Sequence, residues 1–572
     1  MARVAALQFA STTDVDENLA TCLRMIDRAR QHRPQLMVLP EFSNHISWYD
    51  DAQHARQVSL DLHGEFLQQI AERAALHQCY IVINVSLRRS NDELTISSLC
   101  YGPAGELRSV ADKQTLMGHE NTWFVRATTT SDIITTDFGR LAMFPCRDGV
   151  TCETPRGLAL RGAQLFCDSL NSFALDEASL HVPARAPENK VFLVAANKVG
   201  PLIPQELLEE VSAQTHIPLR FLSGAGESQI VSPDGEVLAR APRDEEAVVF
   251  AEIDLSLADN KTRPDGTDLF AARRPELYTT IAAQPTGPVC GEAAAEIAVA
   301  LLAPQGQGEA ALGELPALVA SLPLDTQLAV LPELFCYGDS AQSSTLPDTG
   351  LATRALAALR DACSNFPNLQ LCTSLVMPVG EGYGVVSVLV DAGGLVAQQP
   401  QLHLCARYPW MVAGDSLSTV DLPWGRLAMI TGDDMAFPEI PKVAALAGAH
   451  VIAAPLQLQE PWEEAFGLRS RAAENRMCIV ASSRPLDKRA GLIADLEREF
   501  TLMSEWRERR FDGYINAPLV TEQVAGTEIT VAQIHPAAAC DKLMSERTDL
   551  LLDRPWHLSG DLVKTPEELA HA

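Results

Sequence analysis

Leu36-Met-Val-Leu-Pro-Glu41 is an apolar strand run that stops on a proline and a carboxylate, and Leu328-Ala-Val-Leu-Pro-Glu333 is the same run again half a chain later. The likeness continues outward. Gly139-Arg-Leu-Ala-Met143 returns as Gly425-Arg-Leu-Ala-Met429, Gly162-Ala163 as Gly448-Ala449, and Arg185-Ala-Pro-Glu-Asn189 as Arg471-Ala-Ala-Glu-Asn475. The order is kept, and the last three pairs share one offset of 286 residues. A repeat of this length is a duplicated domain. The reading predicts a first domain over 1–281 and a linker over 282–292 that contains the Pro/Gly-rich Ala282-Ala-Gln-Pro-Thr-Gly-Pro288. A second domain over 293–559 then opens on the apolar run 297–302, and a polar tail covers 560–572.

Within each copy, short Val/Ile/Leu/Ala strands alternate with longer segments of helical spacing. Residues 4–9 read as a strand, 17–30 as a helix that aligns Leu19, Cys22, Leu23 and Ile26, and 36–39 as a strand. Residues 66–75 then read as a helix and 80–85 as a strand, and 96–101, the turn Gly102-Pro-Ala-Gly105 and 107–110 make a hairpin-like pair. Strands apolar on both faces need cover on both, which predicts an α/β fold of layered sheets flanked by helices.

Composition excludes several function classes. The 572 residues are 47% hydrophobic and 21% charged, which is globular and not disordered. Against 45 Lys and Arg stand 74 Asp and Glu, a formal charge of −29 that repels phosphate backbones and anionic membranes, so no nucleic acid and no membrane partner is expected. No run of about 18 apolar residues reads as a spanning helix. The start, Met1-Ala-Arg-Val-Ala-Ala-Leu-Gln-Phe9, reaches Asp14 and Asp16 too soon for a secretion signal. Thirteen cysteines, without a CxxC pair or zinc-ligand spacing, fit the reduced thiols of a cytoplasmic protein. With no metal-ligand cluster and no glycine-rich phosphate loop, no metal and no cofactor is expected.

In α/β folds reactive groups gather just past the C-terminal ends of strands. Three residues of the first copy stand there: Glu41 after 36–39, Lys113 after 107–110 and Cys146 after 141–144. A carboxylate can take the thiol proton, and an ammonium can stabilise both a thiolate and a developing oxyanion. Singly, each has a plainer reading: a packed thiol, a carboxylate at a helix start, a solvated lysine. The second copy serves as an internal control. There Glu41 corresponds to Glu333, Lys113 to Gln401 and Cys146 to Gly432, so the scaffold survives while nucleophile and cation are both gone. That pattern points to a spent second site. Arg185, Glu188 and Asn189 recur in both copies and are read as structural.

Pro40-Glu41-Phe42, Lys113 and Cys146-Arg147-Asp148-Gly149 together resemble the Glu–Lys–Cys triad of the carbon–nitrogen hydrolase (nitrilase) superfamily, supported by Arg185-Ala-Pro-Glu-Asn189 and Gly226-Glu-Ser-Gln-Ile-Val-Ser-Pro-Asp-Gly235. The resemblance covers most of the first copy and, in degenerate form, most of the second. It implies two tandem αββα sandwich (nitrilase-like) domains, packed as an intramolecular pseudo-dimer in which the inert half replaces a partner subunit, with room for a further homo-oligomer. It also implies attack by Cys146 on an amide or nitrile carbon, Glu41 as general base, Lys113 and the Arg147 N–H as oxyanion donors, and release of ammonia or an amine from a thioester. Glu120, seven residues after Lys113, fits the second glutamate that many members carry. Cys146-Arg-Asp-Gly149 looks closer to aliphatic amidases than to true nitrilases, although an arginine after the nucleophile departs from the family's usual aromatic or acidic residue.

The expected substrate is a small linear amide, and its candidate contacts are Arg147, able to pair a substrate carboxylate or else Asp148 or Glu153, and His45, Trp48 and Trp123 from segments beside Glu41 and Glu120. The competing functions are a nitrilase or N-carbamoyl amide hydrolase, an acyl transferase using the same thioester, and a non-catalytic binding or scaffold protein.

Overall fold

The structure is a computed structural model and describes residues 1–338 and 344–570. Two six-stranded sheets come from the first part of the chain. One runs Ala247–Ile253, Ala2–Gln8, Leu36–Val38, Tyr80–Arg88, Leu94–Tyr101, Leu107–Asp112; the other runs Val237–Arg240, Gln229–Val231, Phe192–Ala196, Leu165–Ser169, Arg140–Pro145, Ile134–Thr135. Two further six-stranded sheets repeat this plan over Ile297–Leu302 to Ile529–Ile534. In each half the inner strands are parallel, as the alternation of strands and helices requires.

Alternation along single strands explains the layering. Val4 and Ala6 face the second sheet, packing with Leu36, Val38, Val82, Met143, Cys167 and Val194, whereas Ala5 and Leu7 face outward onto Cys22, Met25, Ile26, Phe66 and Ile70. Those last residues belong to the helices Val15–Ala29 and Glu65–His77. The first of these starts where Asp14 accepts hydrogen bonds from the Asp16 and Glu17 amides at 2.9 and 3.0 Å. Each half is thus an αββα sandwich.

The two sandwiches meet on charged helices. Arg185 pairs with Glu188 at 2.6 Å and with Glu474 at 2.8 Å, and Arg471 pairs with Glu188 and with Glu474 at 2.6 Å each. Arg156 pairs with Glu439 at 2.8 Å and Lys442 with Glu153 at 3.1 Å. Each contact has its mirror at the 286-residue offset, the reciprocity that a two-fold interface requires. The halves therefore pack as a pseudo-dimer within one chain.

Two expectations need correction. Cys290 and Cys540 form a disulfide, with the other eleven cysteines free and buried. Their separation of 250 residues is closed only by the fold, so no local spacing announced it. The segment from Gly560 is not a free tail through its first residues: Trp556–Val563 is a 3-10 turn whose Leu562 is fully buried and whose Leu562 carbonyl accepts from Arg273. Leu562 and Val563 pack on the second half's core, which docks the stretch. Residues 571 and 572 of that predicted tail lie outside the described residues. Among the described residues no helix is long and apolar enough to cross a membrane.

Candidate active site

Three strand ends build the site. Glu41 lies just past Leu36–Val38, and the next residue, Phe42, takes a left-handed φ of 53° that turns the chain sharply there. Lys113 follows Leu107–Asp112, with its amide on the Ile96 carbonyl at 2.8 Å. Cys146 ends Arg140–Pro145 and has φ 45°, a strained turn from strand into helix that a non-glycine residue adopts only when its surroundings fix it. They do: the Cys146 amide donates to Asp168 at 2.9 Å, and the Gly149 amide donates to the Cys146 carbonyl at 2.8 Å. Asp148 accepts from the Gln114 and Thr115 amides at 2.8 Å each, tying the lysine's loop to the cysteine's turn. Arg147 opens the helical turn Arg147–Val150, so its N–H has no intrahelical acceptor.

Lys113 Nζ donates to Glu41 at 2.8 Å and to Glu120 at 2.9 Å, and the Met117 amide donates to the other Glu120 oxygen at 2.8 Å. All three charged side chains are buried. Burial pushes the Glu41 carboxyl up and the Lys113 charge pulls it back, leaving it at about 7. Burial alone would lower Lys113, but Glu120 and Glu41 outweigh it and hold the ammonium well above its usual range. The Cys146 thiol is pushed up by burial and by Glu41, more than Lys113 and the Asn171 amide on its sulfur bring it down. The resting group is therefore a thiol. In so dry a site the thiol needs a base beside it, the part that a strand-end carboxylate can take.

Glu41, Lys113, Glu120 and Cys146 line one cavity of about 350 Å³. Arg147 and Trp48 line it too, whereas His45 and Trp123 do not. The His45 Nδ1–H bonds the Ile46 carbonyl at 2.7 Å, and the ring stacks on Tyr49 behind the loop. Trp123 packs edge-on against the same Tyr49 ring. The 44–49 segment turns back on itself, with the Trp48 amide on the Ile46 carbonyl, so that Ser47 and Trp48 alone of it reach the cavity. Sequence reading also missed Asn171, Glu177 and His181, which line the cavity, and a wall lent by the second half that includes Leu502, Met503, Ile515, Asn516 and Met544. Asn171 lies just past Leu165–Ser169 and carried a strand-end signal; the second-half residues carried none.

The second half preserves the geometry and the glutamate without the thiol and the ammonium. Gly432 has φ 50°, and a Cβ placed on it would lie 2.8 Å from Glu333 Oε2 and 3.0 Å from Gln401 Oε1. Asp434 accepts from the Leu402 and His403 amides at 2.8 and 2.9 Å, as Asp148 does in the first half. The space is filled: Arg263 pairs with Asp433 and Glu463, Arg407 pairs with Asp433 at 2.7 Å, and the remaining cavity is about 20 Å³. Two groups of possible ligand atoms, Cys290/His450/Cys540 and Asp265/Cys405/Asp433, come together only in the fold. In the first the sulfurs are bonded to each other, and in the second Asp433 is held by arginines.

The sequence model of the carbon-nitrogen hydrolase family matches residues 3–262. A Pyrococcus abyssi protein named nitrilase is 30% identical over 283 residues, which are 49% of this chain and 99% of that protein. N-carbamoylputrescine amidase of Solanum tuberosum is 26% identical over 297 residues, 49% of this chain and 94% of that one. The crystal structure of the C. elegans NitFhit protein aligns with a TM-score of 0.42 and 24% identity, covering 48% of this chain and 66% of that chain.

Proposed function

We infer that this chain, which belongs to the carbon-nitrogen hydrolase family, is an amidase that cleaves small linear amides through a thioester on Cys146. The observation that carries the reading is the buried Glu41–Lys113–Glu120 chain, with contacts of 2.8 and 2.9 Å, on the cavity that Cys146 lines. Ionised Glu41 takes the Sγ proton as sulfur attacks the amide carbon. The oxyanion is met by Lys113 Nζ–H and the Arg147 N–H, both fixed before substrate arrives. As the C–N bond breaks, Glu41 returns its proton to the leaving nitrogen, which departs as ammonia or an amine. Glu41 then deprotonates a water that attacks the thioester, and the acid leaves as sulfur is reprotonated. Glu120 keeps Lys113 charged and aimed. A carboxyl near 7 suits a group that both accepts and returns a proton at neutral pH.

The test is ammonia release by the full-length protein from a panel of aliphatic amides, with nitriles and N-carbamoyl amines alongside. Turnover of amides that Cys146→Ser abolishes supports the reading. Turnover of the nitriles or carbamoyl compounds alone replaces the amidase by those alternatives, and no turnover of any class in a folded sample favours the scaffold.

A further inference from the structure

We propose that the pocket takes an amide whose far end carries a carboxylate, and that Asn516 of the second half joins Arg147 of the first in binding it. This rests on the amidase reading and adds to it the charge of the substrate and a specificity residue.

Arg147 lines the cavity, is 2% exposed, and leaves its Nε and Nη1 without a hydrogen-bond partner. A buried guanidinium with unmet donors is unfavourable unless an acceptor, best an anion, comes to it. Asn516 lines the same cavity at 4% exposure, and its Nδ2 is also unpartnered. The side chain is held in place, because Asn516 Oδ1 accepts from His181 Nε2 at 2.8 Å. Its backbone is fixed as well: Asp176 accepts from the Ile515, Asn516 and Ala517 amides at 2.8, 2.6 and 2.8 Å. The first half thus clamps a second-half segment against its own pocket and leaves an N–H₂ pointing at nothing of the protein's own.

The spent site supplies the contrast. Asp433, at the 286-residue offset from Arg147, is a charge of opposite sign, and there the fold has closed over it with Arg263 and Arg407. Where the cavity has shrunk to about 20 Å³ the charge is hydrogen-bonded internally; where it stays open at about 350 Å³, Asp148 and Glu153 act on Arg147 through space but its Nε and Nη1 donors stay unmet. Glu177 shares the open cavity but does not neutralise Arg147: burial and neighbouring Asp176 push its carboxyl up to about 8 against the pull of Arg147, so at neutral pH it is mostly protonated. The space fits a short chain, so the substrate class is the monoamide of a short dicarboxylic acid.

The experiment compares kcat/KM for succinamate and glutaramate with that for butyramide and pentanamide, using the full-length protein, Arg147→Gln, Asn516→Ala and the nearly isosteric Asn516→Asp. The expected wild-type preference for the acids is tenfold or more, and it falls about tenfold in Asn516→Ala, the size of one charge-assisted hydrogen bond. Asn516→Asp, which sets a carboxylate against a carboxylate, and Arg147→Gln remove it. Equal or better turnover of the neutral amides by the wild type, or a ratio that none of the variants moves, overturns the proposal. If no amide is turned over, the amidase reading fails by itself. Calorimetric binding of succinate and glutarate then decides the carboxylate claim: saturable binding that Arg147→Gln removes upholds it, and no binding overturns it.

Discussion

Glu41 has to be ionised to take a proton from the Cys146 thiol, and burial has moved its ionisation to about 7. A base with a raised pKa is lost as pH falls through that value, so kcat/KM is predicted to drop tenfold per unit below about pH 7. Glu41→Gln keeps the shape and removes the base, with an expected loss of roughly 10²–10⁴-fold. A pH profile flat from 5 to 8 would contradict this role. Glu41, Lys113 and Cys146 stood out in the sequence because each follows a strand and because the second copy keeps the glutamate while losing the lysine and the cysteine. His45 and Trp123 were misread for a local reason: nearness to Glu41 and Glu120 in sequence does not say which way a turning loop points. Asn516 was out of reach altogether, since nothing in its own segment says that Asp176 will hold it against a pocket 340 residues away.

The helices Val182–Asn189 and Leu468–Asn475 carry the four-membered Arg/Glu network, with every member 0–1% exposed. Cutting one partner from a buried pair strands the other charges, so Arg185→Ala and Arg471→Ala are each predicted to destabilise the chain by about 3–5 kcal/mol. Denaturant midpoints measure this, and a change below about 1 kcal/mol, typical of exposed pairs, would refute it. Repetition in both copies marked these residues as structural, but the sequence could not say that they pair across the halves. The disulfide gives a second check at this scale. Cys290 belongs to the predicted linker and Cys540 to the turn Pro536–Cys540, and the Arg426 amide donates to His450 Nδ1 at 2.8 Å, which places the proton on Nε2, beside both sulfurs. Protein unfolded without reductant should titrate eleven thiols, and thirteen after reduction. Thirteen in both samples would show that the bond does not form.

At the scale of the whole molecule, each half lends a hairpin to the other's site: the second half's pairs Leu543–Ser545 with Thr548–Asp549, and the first half's closes on an antiparallel bridge between Thr262 and Asp268. Thr548 Oγ1 accepts from the Gly118 amide at 3.1 Å, and Thr267 Oγ1 accepts from the Ala406 amide at 2.8 Å. Phe500, Trp506, Phe511, Ile515 and Met544 of the second half complete an apolar cluster with Val150, Ala174 and Phe221 of the first. The duplication and the layered sandwiches were readable from a repeat and from strand alternation, both properties of short segments. The exchange of hairpins was not, because it depends on surfaces that exist only once two sandwiches have folded and met. The half with glycine at its nucleophile position thus supplies part of the wall of the other's pocket. In the proposed reaction one sulfur, that of Cys146, carries the acyl group. Acid quenching during turnover of an amide, followed by intact-mass measurement and peptide mapping, tests it directly. One acyl adduct per chain, on the peptide that holds Cys146, is the predicted result. Steady ammonia release with no adduct on that peptide, or an adduct on a second-half residue, would contradict it.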